Sequence, residues 1–267
     1  MAIQISSRFA FAFDQPTSAL LQFEAAGMEE QAIGTASARI SATDELTRVP
    51  AEDGIGERIW LQGSGRIEVE YAATVTPNRA LLSLKDCAAL APHALPGEAV
   101  KYLLDSRYCR ADEFQSLVAS EFSGTSGGTR IDAIRQWVFE NFEYVPGSSD
   151  TTTDATASFI KRQGICRDFA HVMVTLARAS SIPARYVACY APGVTPQDFH
   201  AVVQVYLADP SSKDGGSWQL VDATNMADLS QAAIIGVGRD AADVSFLTSF
   251  GPMQFLSSSV ELTSLPR

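Results

Sequence analysis

The hydrophobic pattern of this chain changes period near residue 100, and that change limits the folds open to it. Up to about residue 85, Ile3-Gln4-Ile5, Phe9 to Phe13, Ala19 to Phe23, Ile67 to Tyr71 and Ala73 to Val75 alternate or run apolar between turn residues. A period of two with frequent turns predicts an antiparallel sandwich or sheet. Beyond residue 100 the spacing becomes helical. Ile131, Ile134, Val138 and Phe142 share one face, with Thr129 to Asp132 reading as the start and Pro146-Gly147 as the stop. A shorter helix is expected from about Asp154, burying Phe159 and Ile160 and ending at Lys161-Arg162 before Gly164. The next starts at about Cys166, buries Phe169, Val172 or Met173, and Leu176, and ends between Ser180 and Pro183. Ala184 to Ala191, His200 to Leu207 and Trp218 to Asp222 are strand-like by their β-branched and aromatic content. Helices followed by a meander of strands make an α+β core. The stretch Ala89 to Val100, broken by Pro92, Pro96 and Gly97, reads as the link. The expected division is therefore a β-rich domain over 1–95 and a core over 96–267.

At 267 residues there is chain enough for one large core or two modest ones. The net charge of -11 argues against nucleic acid, which needs clustered Lys and Arg, and disfavours anionic membrane surfaces. No window approaches the roughly 18 apolar residues of a membrane span. The amino-terminal residues alternate like a strand and lack the charged-then-apolar order of a signal peptide, so a cytoplasmic location is expected. Cys87, Cys109, Cys166 and Cys189 show no Cys-x-x-Cys spacing, so neither a metal site nor a disulfide framework is expected. Three of the four read as small buried hydrophobes.

Cys166 differs from them by its place. It lies between Gly164 and a new amphipathic run, in the first turn of a helix. There, free backbone N–H groups and the positive end of the helix dipole favour a thiolate. An ordinary thiol, with a pKa near 8.5, is mostly protonated at neutral pH and attacks poorly. A base is needed, and the chain has only three histidines. His171, five residues on, lies about 140° around the helix from the sulfur. His93 is in the Pro-rich link. His200, opening a strand, is the candidate. The turn-rich segment Ala208 to Gly216 predicts a hairpin, and a centre near Ser211 puts His200 directly opposite Asp222. Cys166, His200 and Asp222 then form a nucleophile, its base and the carboxylate that orients the base.

Other residues carry weaker signals. Gln163 is placed to donate to an oxyanion, or is simply the last polar residue of a helix. Tyr144 and Trp137 line a cleft or belong to the core. Arg167 and Asp168 tune the thiol or pair locally. The Gly-x-Gly of Gly236 to Gly238 has no strand–helix context and is not a nucleotide loop.

Several segments together resemble the transglutaminase-like superfamily, specifically bacterial members with a β-rich region before a papain-like core. They are Tyr102 to Tyr108, Gly164-Ile165-Cys166-Arg167-Asp168-Phe169-Ala170-His171, Ile182 to Val187, Asp198-Phe199-His200-Ala201, Val221 to Asn225 and Gly238 to Val244. The resemblance implies an α+β papain-like core, helices packed on an antiparallel sheet, after an antiparallel β-sandwich-like domain. It also implies Cys166 as nucleophile, His200 as base and acid, Asp222 as orienting carboxylate and a thioester intermediate; neither a cofactor nor calcium is implied. After His200 the family commonly has Ala-Trp and an acid, where this chain has Ala201-Val202-Val203-Gln204. After Asp222 it has Pro-Thr, where this chain has Ala223-Thr224. The expected activity is thiol-dependent hydrolysis or acyl transfer on peptide or protein amides, as a cysteine protease or deamidase. A protein-glutamine cross-linking enzyme and a non-catalytic scaffold are the alternatives.

Overall fold

The computed structural model describes residues 1–41 and 45–265, with the side chain of Glu45 left aside. Its strands are β1 (Ala2–Leu21), β2 (Gln31–Ile40), β3 (Glu45–Pro50), β4 (Glu57–Pro77), β5 (Glu143–Tyr144), β6 (Gln163–Gly164), β7 (Ala184–Tyr190), β8 (His200–Ala208), β9 (Gly216–Val221), β10 (Ala233–Gly238), β11 (Leu247–Ser249) and β12 (Gln254–Leu265). The α-helices are α1 (Gly97–Val100), α2 (Gln115–Glu121), α3 (Gly127–Asn141), α4 (Ala155–Lys161) and α5 (Cys166–Ala179).

The β-rich region is one six-stranded antiparallel sheet. β4 pairs with β1 on one side and with β2 and then β3 on the other. Segments that read as separate strands are continuous: β1 spans 20 residues and β4 spans 21. The ladder between them slips from Phe13↔Gly65 to Thr17↔Gly63, leaving Asp14-Gln15-Pro16 bulged outward. The slip is an even number of residues, so the apolar face survives it. Ile3, Ile5, Phe9, Phe11 and Phe13 before the bulge, and Ala19 and Leu21 after it, are all buried. The free edge of β1 is covered by β12 and β11, the last strands of the chain. Hydrogen bonding thus places residues that the expected boundary assigns to 96–267 in the first sheet. The physical reason is the long edge of β1, which would otherwise stand unpaired.

The second sheet has the order β10-β7-β8-β9 and is antiparallel throughout. Helix α5 packs on one face. Phe169, Val172, Met173 and Leu176 meet Ala184, Tyr186, Val203 and Val205 in one cluster, to which α3 adds Ile131, Ile134 and Val138. The apolar face of the first sheet packs against Tyr190, Ala233 and Ile235 of the second. The seam is also polar. Gln31 donates to Ala26 O (2.7 Å) and Ile234 O (2.9 Å) and accepts from Ile234 N–H (2.7 Å). The Tyr190 hydroxyl donates to Phe23 O at 2.7 Å. Arg185, buried beneath Trp218, pairs with Asp53 at 3.1 Å and Gln204 at 2.9 Å.

Helix starts differ in detail from the expectation. Ser126, not Thr129, caps α3, and the Thr129 hydroxyl accepts the Ser126 N–H at 3.2 Å. α4 is capped by Asp154, which accepts from Ala157 N–H at 2.8 Å. It ends at Arg162 in the left-handed region (φ 57°), and Ile160 is 74% exposed rather than buried. Among the described residues, no helix is long and apolar enough to cross a membrane.

Candidate active site

Cys166 is the first residue of α5, and its setting is built by Gly164 and Asp168. Asp168, fully buried, folds back under the first turn to accept Ile165 N–H at 2.8 Å and the Ser149 hydroxyl at 2.5 Å. Arg167 pairs with its other oxygen at 3.0 Å. The pair is therefore local and caps the helix, one of the two roles its sequence position allows. A Cβ on Gly164 would lie 2.5 Å from Asp168 Cβ, so only glycine lets the acid reach its place. Ahead of the helix, β6 pairs in parallel with β5, with Tyr144 in register with Gly164. Cys166 itself is partly exposed, whereas Cys87, Cys109 and Cys189 are buried, and all four are free. Burial pushes the Cys109 thiol up to about 12 and raises that of Cys189 as well.

His200 opens β8, paired with Cys189 of β7, and is 3% exposed. Its Nε2 lies 3.2 Å from Asp222 Oδ2, and its Nδ1 is buried without a hydrogen-bond partner. Asp222 is not opposite His200. The β8–β9 ladder pairs Val203 with Val221, so the hairpin is centred one residue later than expected and Asp222 lies beyond the last pair. The offset between His200 and Asp222 is two residues, an even number, and both side chains stay on one face. Asp222 is held rigidly from its other side. It accepts N–H bonds from Thr224 (2.8 Å), Met226 (3.1 Å) and Ala227 (2.9 Å), and the Thr224 hydroxyl (2.7 and 2.9 Å).

These contacts set the charges. Burial works to raise the Asp222 pKa, but the His200 bond and charge, the Ala227 N–H and the Thr224 hydroxyl outweigh it and hold the carboxyl below its ordinary range. Burial likewise pulls His200 down. The bond to Asp222 and the neighbouring Cys166 sulfur reverse that and raise it to about 9. The sulfur thus acts on the ring electrostatically, although no hydrogen bond to Nδ1 closes in this structure.

His171, carried by α5 itself, is wholly buried on the far side of that helix. It stacks on Tyr108 with centroids 5.0 Å apart, accepts Ala241 N–H at 3.1 Å, and is pushed down to about 3, chiefly by burial. His93 lies in an exposed turn over Pro92–Ala94. Trp137, half-buried at the margin of the core, stacks on Phe159 under the Arg162 guanidinium. Gly236 packs against Gln22 inside β10, within a strand rather than on a strand-to-helix loop. Among the described residues no group of three His, Cys, Asp or Glu side chains is arranged to hold a metal ion. Residue spacing alone assigned no role to Thr224 or Ser149. The spacing Asp222-x-Thr224, in which a hydroxyl two residues on closes over a carboxylate, was the available signal for the first.

Residues 115–223, the span that carries Cys166, His200 and Asp222, match a family model described as the transglutaminase-like superfamily. An uncharacterized protein of Mycobacterium leprae is 30% identical over 124 residues, covering 43% of this chain and 42% of that one. One of Mycobacterium tuberculosis is 30% identical over 117 residues, covering 40% and 37%. The matched region therefore spans less than half the length of these curated relatives. The crystal structure of a Cytophaga hutchinsonii protein described as a "putative cysteine protease" superposes on 100% of this chain and 91% of its own, with a TM-score of 0.92 and 31% identity. By that full-length likeness and the matched core, the chain belongs to the transglutaminase-like superfamily.

Proposed function

We propose that the protein is a thiol-dependent hydrolase or acyltransferase acting on peptide or side-chain amides through Cys166, His200 and Asp222. The observation that carries this reading is the His200 ring, with Nε2 occupied by Asp222, the buried Nδ1 left unpartnered, and the Cys166 sulfur near enough to raise the ring's pKa. A base so oriented takes one proton and returns it. At neutral pH the ring, raised to about 9, already holds on Nδ1 the proton that the thiol has given up, and the sulfur bonds to the amide carbon. The C–N bond then breaks as the imidazolium protonates the departing nitrogen, leaving a thioester. Water, deprotonated by the same ring, attacks the thioester carbon, and the C–S bond breaks to restore the thiol.

Hydrolysis, by a protease or deamidase, is the preferred outcome. An amine in place of water would give cross-linking from the same thioester, and which acceptor reaches it decides the outcome. A non-catalytic scaffold is disfavoured by the buried, hydrogen-bonded His200–Asp222 pair, which packing alone does not require. The location we propose is the cytoplasm, whose reducing conditions suit four free cysteines.

Iodoacetamide labelling at about pH 6 tests the activated thiol. Cys166 should react well faster than an ordinary cysteine, and the Cys166→Ala protein should take up no fast label. Labelling of Cys166 at the ordinary rate would refute the reading. Ammonia or peptide release, compared with amine incorporation into a glutamine-containing protein, separates the two acyl acceptors.

A further inference from the structure

Attack on an amide carbonyl builds negative charge on its oxygen, and one donor is seldom enough to hold it. The backbone N–H of Cys166, free at the start of α5, supplies the first. From the geometry of the β5–β6 ladder we infer that the Tyr144 hydroxyl supplies the second. The assignment rests on Cys166 being the nucleophile.

Tyr144 is fixed in front of the helix. Its partner in the ladder is Gly164, two residues before Cys166, and the Glu143 N–H and Val145 N–H on either side donate to Arg162 O and Gly164 O, each at 2.9 Å. Its ring leans on Phe169 with centroids 5.9 Å apart. Phe169 is three residues after Cys166, hence on the same side of the first turn. Backbone and ring together set Tyr144 beside the start of α5. Gln163, the donor suggested by sequence, pairs with Glu143, and successive residues of a strand point to opposite sides. It is on the wrong side of the ladder.

The electrostatics agree. Burial and then the Cys166 charge raise the Tyr144 phenol to about 12, and both the thiol and the backbone N–H of Cys166 act on it. A phenol so raised keeps its proton at neutral pH and is available to donate. No bond to the sulfur closes in the resting structure, so the hydroxyl is free to turn to an incoming carbonyl oxygen.

Two reactions of the same sulfur separate the possible roles. Acylation by p-nitrophenyl acetate passes through an oxyanion, whereas alkylation by iodoacetamide at a saturated carbon does not. Tyr144→Phe keeps the ring on Phe169 and removes only the hydroxyl. In the full-length protein at pH 7, acylation should slow at least tenfold while alkylation stays within twofold of the parent. Unchanged acylation overturns the assignment. A parallel fall in both rates also overturns it, because the hydroxyl would then act on the thiol. If the parent protein itself is neither acylated nor alkylated faster than Cys166→Ala, the proposed function fails, and this donor with it.

Discussion

Asp222 stands two residues out of cross-strand register with His200, on the same face of the sheet, and meets its Nε2 at 3.2 Å. Extending the ladder past Val203–Val221 would bring Thr224, not Asp222, opposite the histidine. The chain instead leaves the strand at Asp222 and wraps Thr224, Met226 and Ala227 around its carboxylate. The acid is positioned by its own turn, and the sheet needs only to keep the two side chains on one side.

Replacing that acid should disable the ring without removing it. In Asp222→Asn the amide would favour the wrong tautomer of His200, and acylation of Cys166 should fall by roughly 10²–10⁴-fold. The fold should persist, with a loss of about 1–3 kcal/mol because the N–H groups of Met226 and Ala227 lose a charged acceptor. Acylation by p-nitrophenyl acetate and urea unfolding check the two halves. Activity within threefold of the parent would remove Asp222 from the mechanism.

The His200–Asp222 pair also predicts how stability follows pH. His200 is raised from its ordinary 6.5 to about 9, so its stabilisation is complete below 6.5 and is lost as pH rises through 9. Asp222 is lowered from its ordinary 3.8, so its contribution is complete above that value and is lost in acid. The advantage of the parent over His200→Gln should therefore be largest near pH 5–6 and shrink between pH 7 and 9.5. The pH-dependent part is at most on the order of 3 kcal/mol. Urea midpoints across that range measure it. In the Cys166→Ala background the decline should be smaller and end at lower pH, because the sulfur no longer supports the imidazolium.

Gly164 has no freedom to grow. A Cβ there meets Asp168 Cβ at 2.5 Å and Oδ2 at 2.9 Å, which would expel the acid that caps the Cys166 helix. Gly164→Ala should cost about 2–4 kcal/mol, combining overpacking with the lost cap on Ile165 N–H. Thermal and urea unfolding would register it. Ala at Gly97, where a Cβ meets nothing within 4 Å, is the neutral control.

The core was more legible in the sequence than the sheet before it, for a physical reason. α5 and β7 to β9 bury most of their residues, so apolar periodicity marks them. β12 buries only Val260 of its twelve residues. Its serine-rich stretch becomes a strand because β1 offers an edge, and no local pattern announces that. The same holds at Asp14-Gln15-Pro16, which reads as a break between strands and is a bulge within one. At the site, Cys166 and His200 could be named because cysteines and histidines are few, and Asp222 because it comes at the end of the strand that pairs with the one His200 opens. The hairpin register was off because loop 209–215 is held by Asp209, which accepts from Ser211 and Ser217 and lengthens the turn past a two-residue form. Tyr144 as a neighbour of the sulfur depends on tertiary approach, which spacing does not encode.

The last prediction concerns what holds the two sheets to one another. Arg185 on β7 is buried and reaches across the seam to Asp53, which also takes Tyr102 O–H at 2.6 Å and Lys101 at 2.5 Å. Burial lowers the Arg185 pKa, while Tyr102 and Asp53 resist that fall; its guanidinium also stacks 4.1 Å from the Trp218 ring. Truncating it strands Gln204 and leaves Asp53 with fewer donors. Arg185→Ala should therefore cost about 2–4 kcal/mol, less than a fully buried pair because Asp53 keeps partial contact with water and Lys101. The double replacement Arg185→Ala with Asp53→Ala should cost less than the sum of the singles, because both lose one shared interaction. A urea-unfolding cycle over the four proteins measures the coupling. Strict additivity would show that this ion pair is not what joins the first sheet to the core.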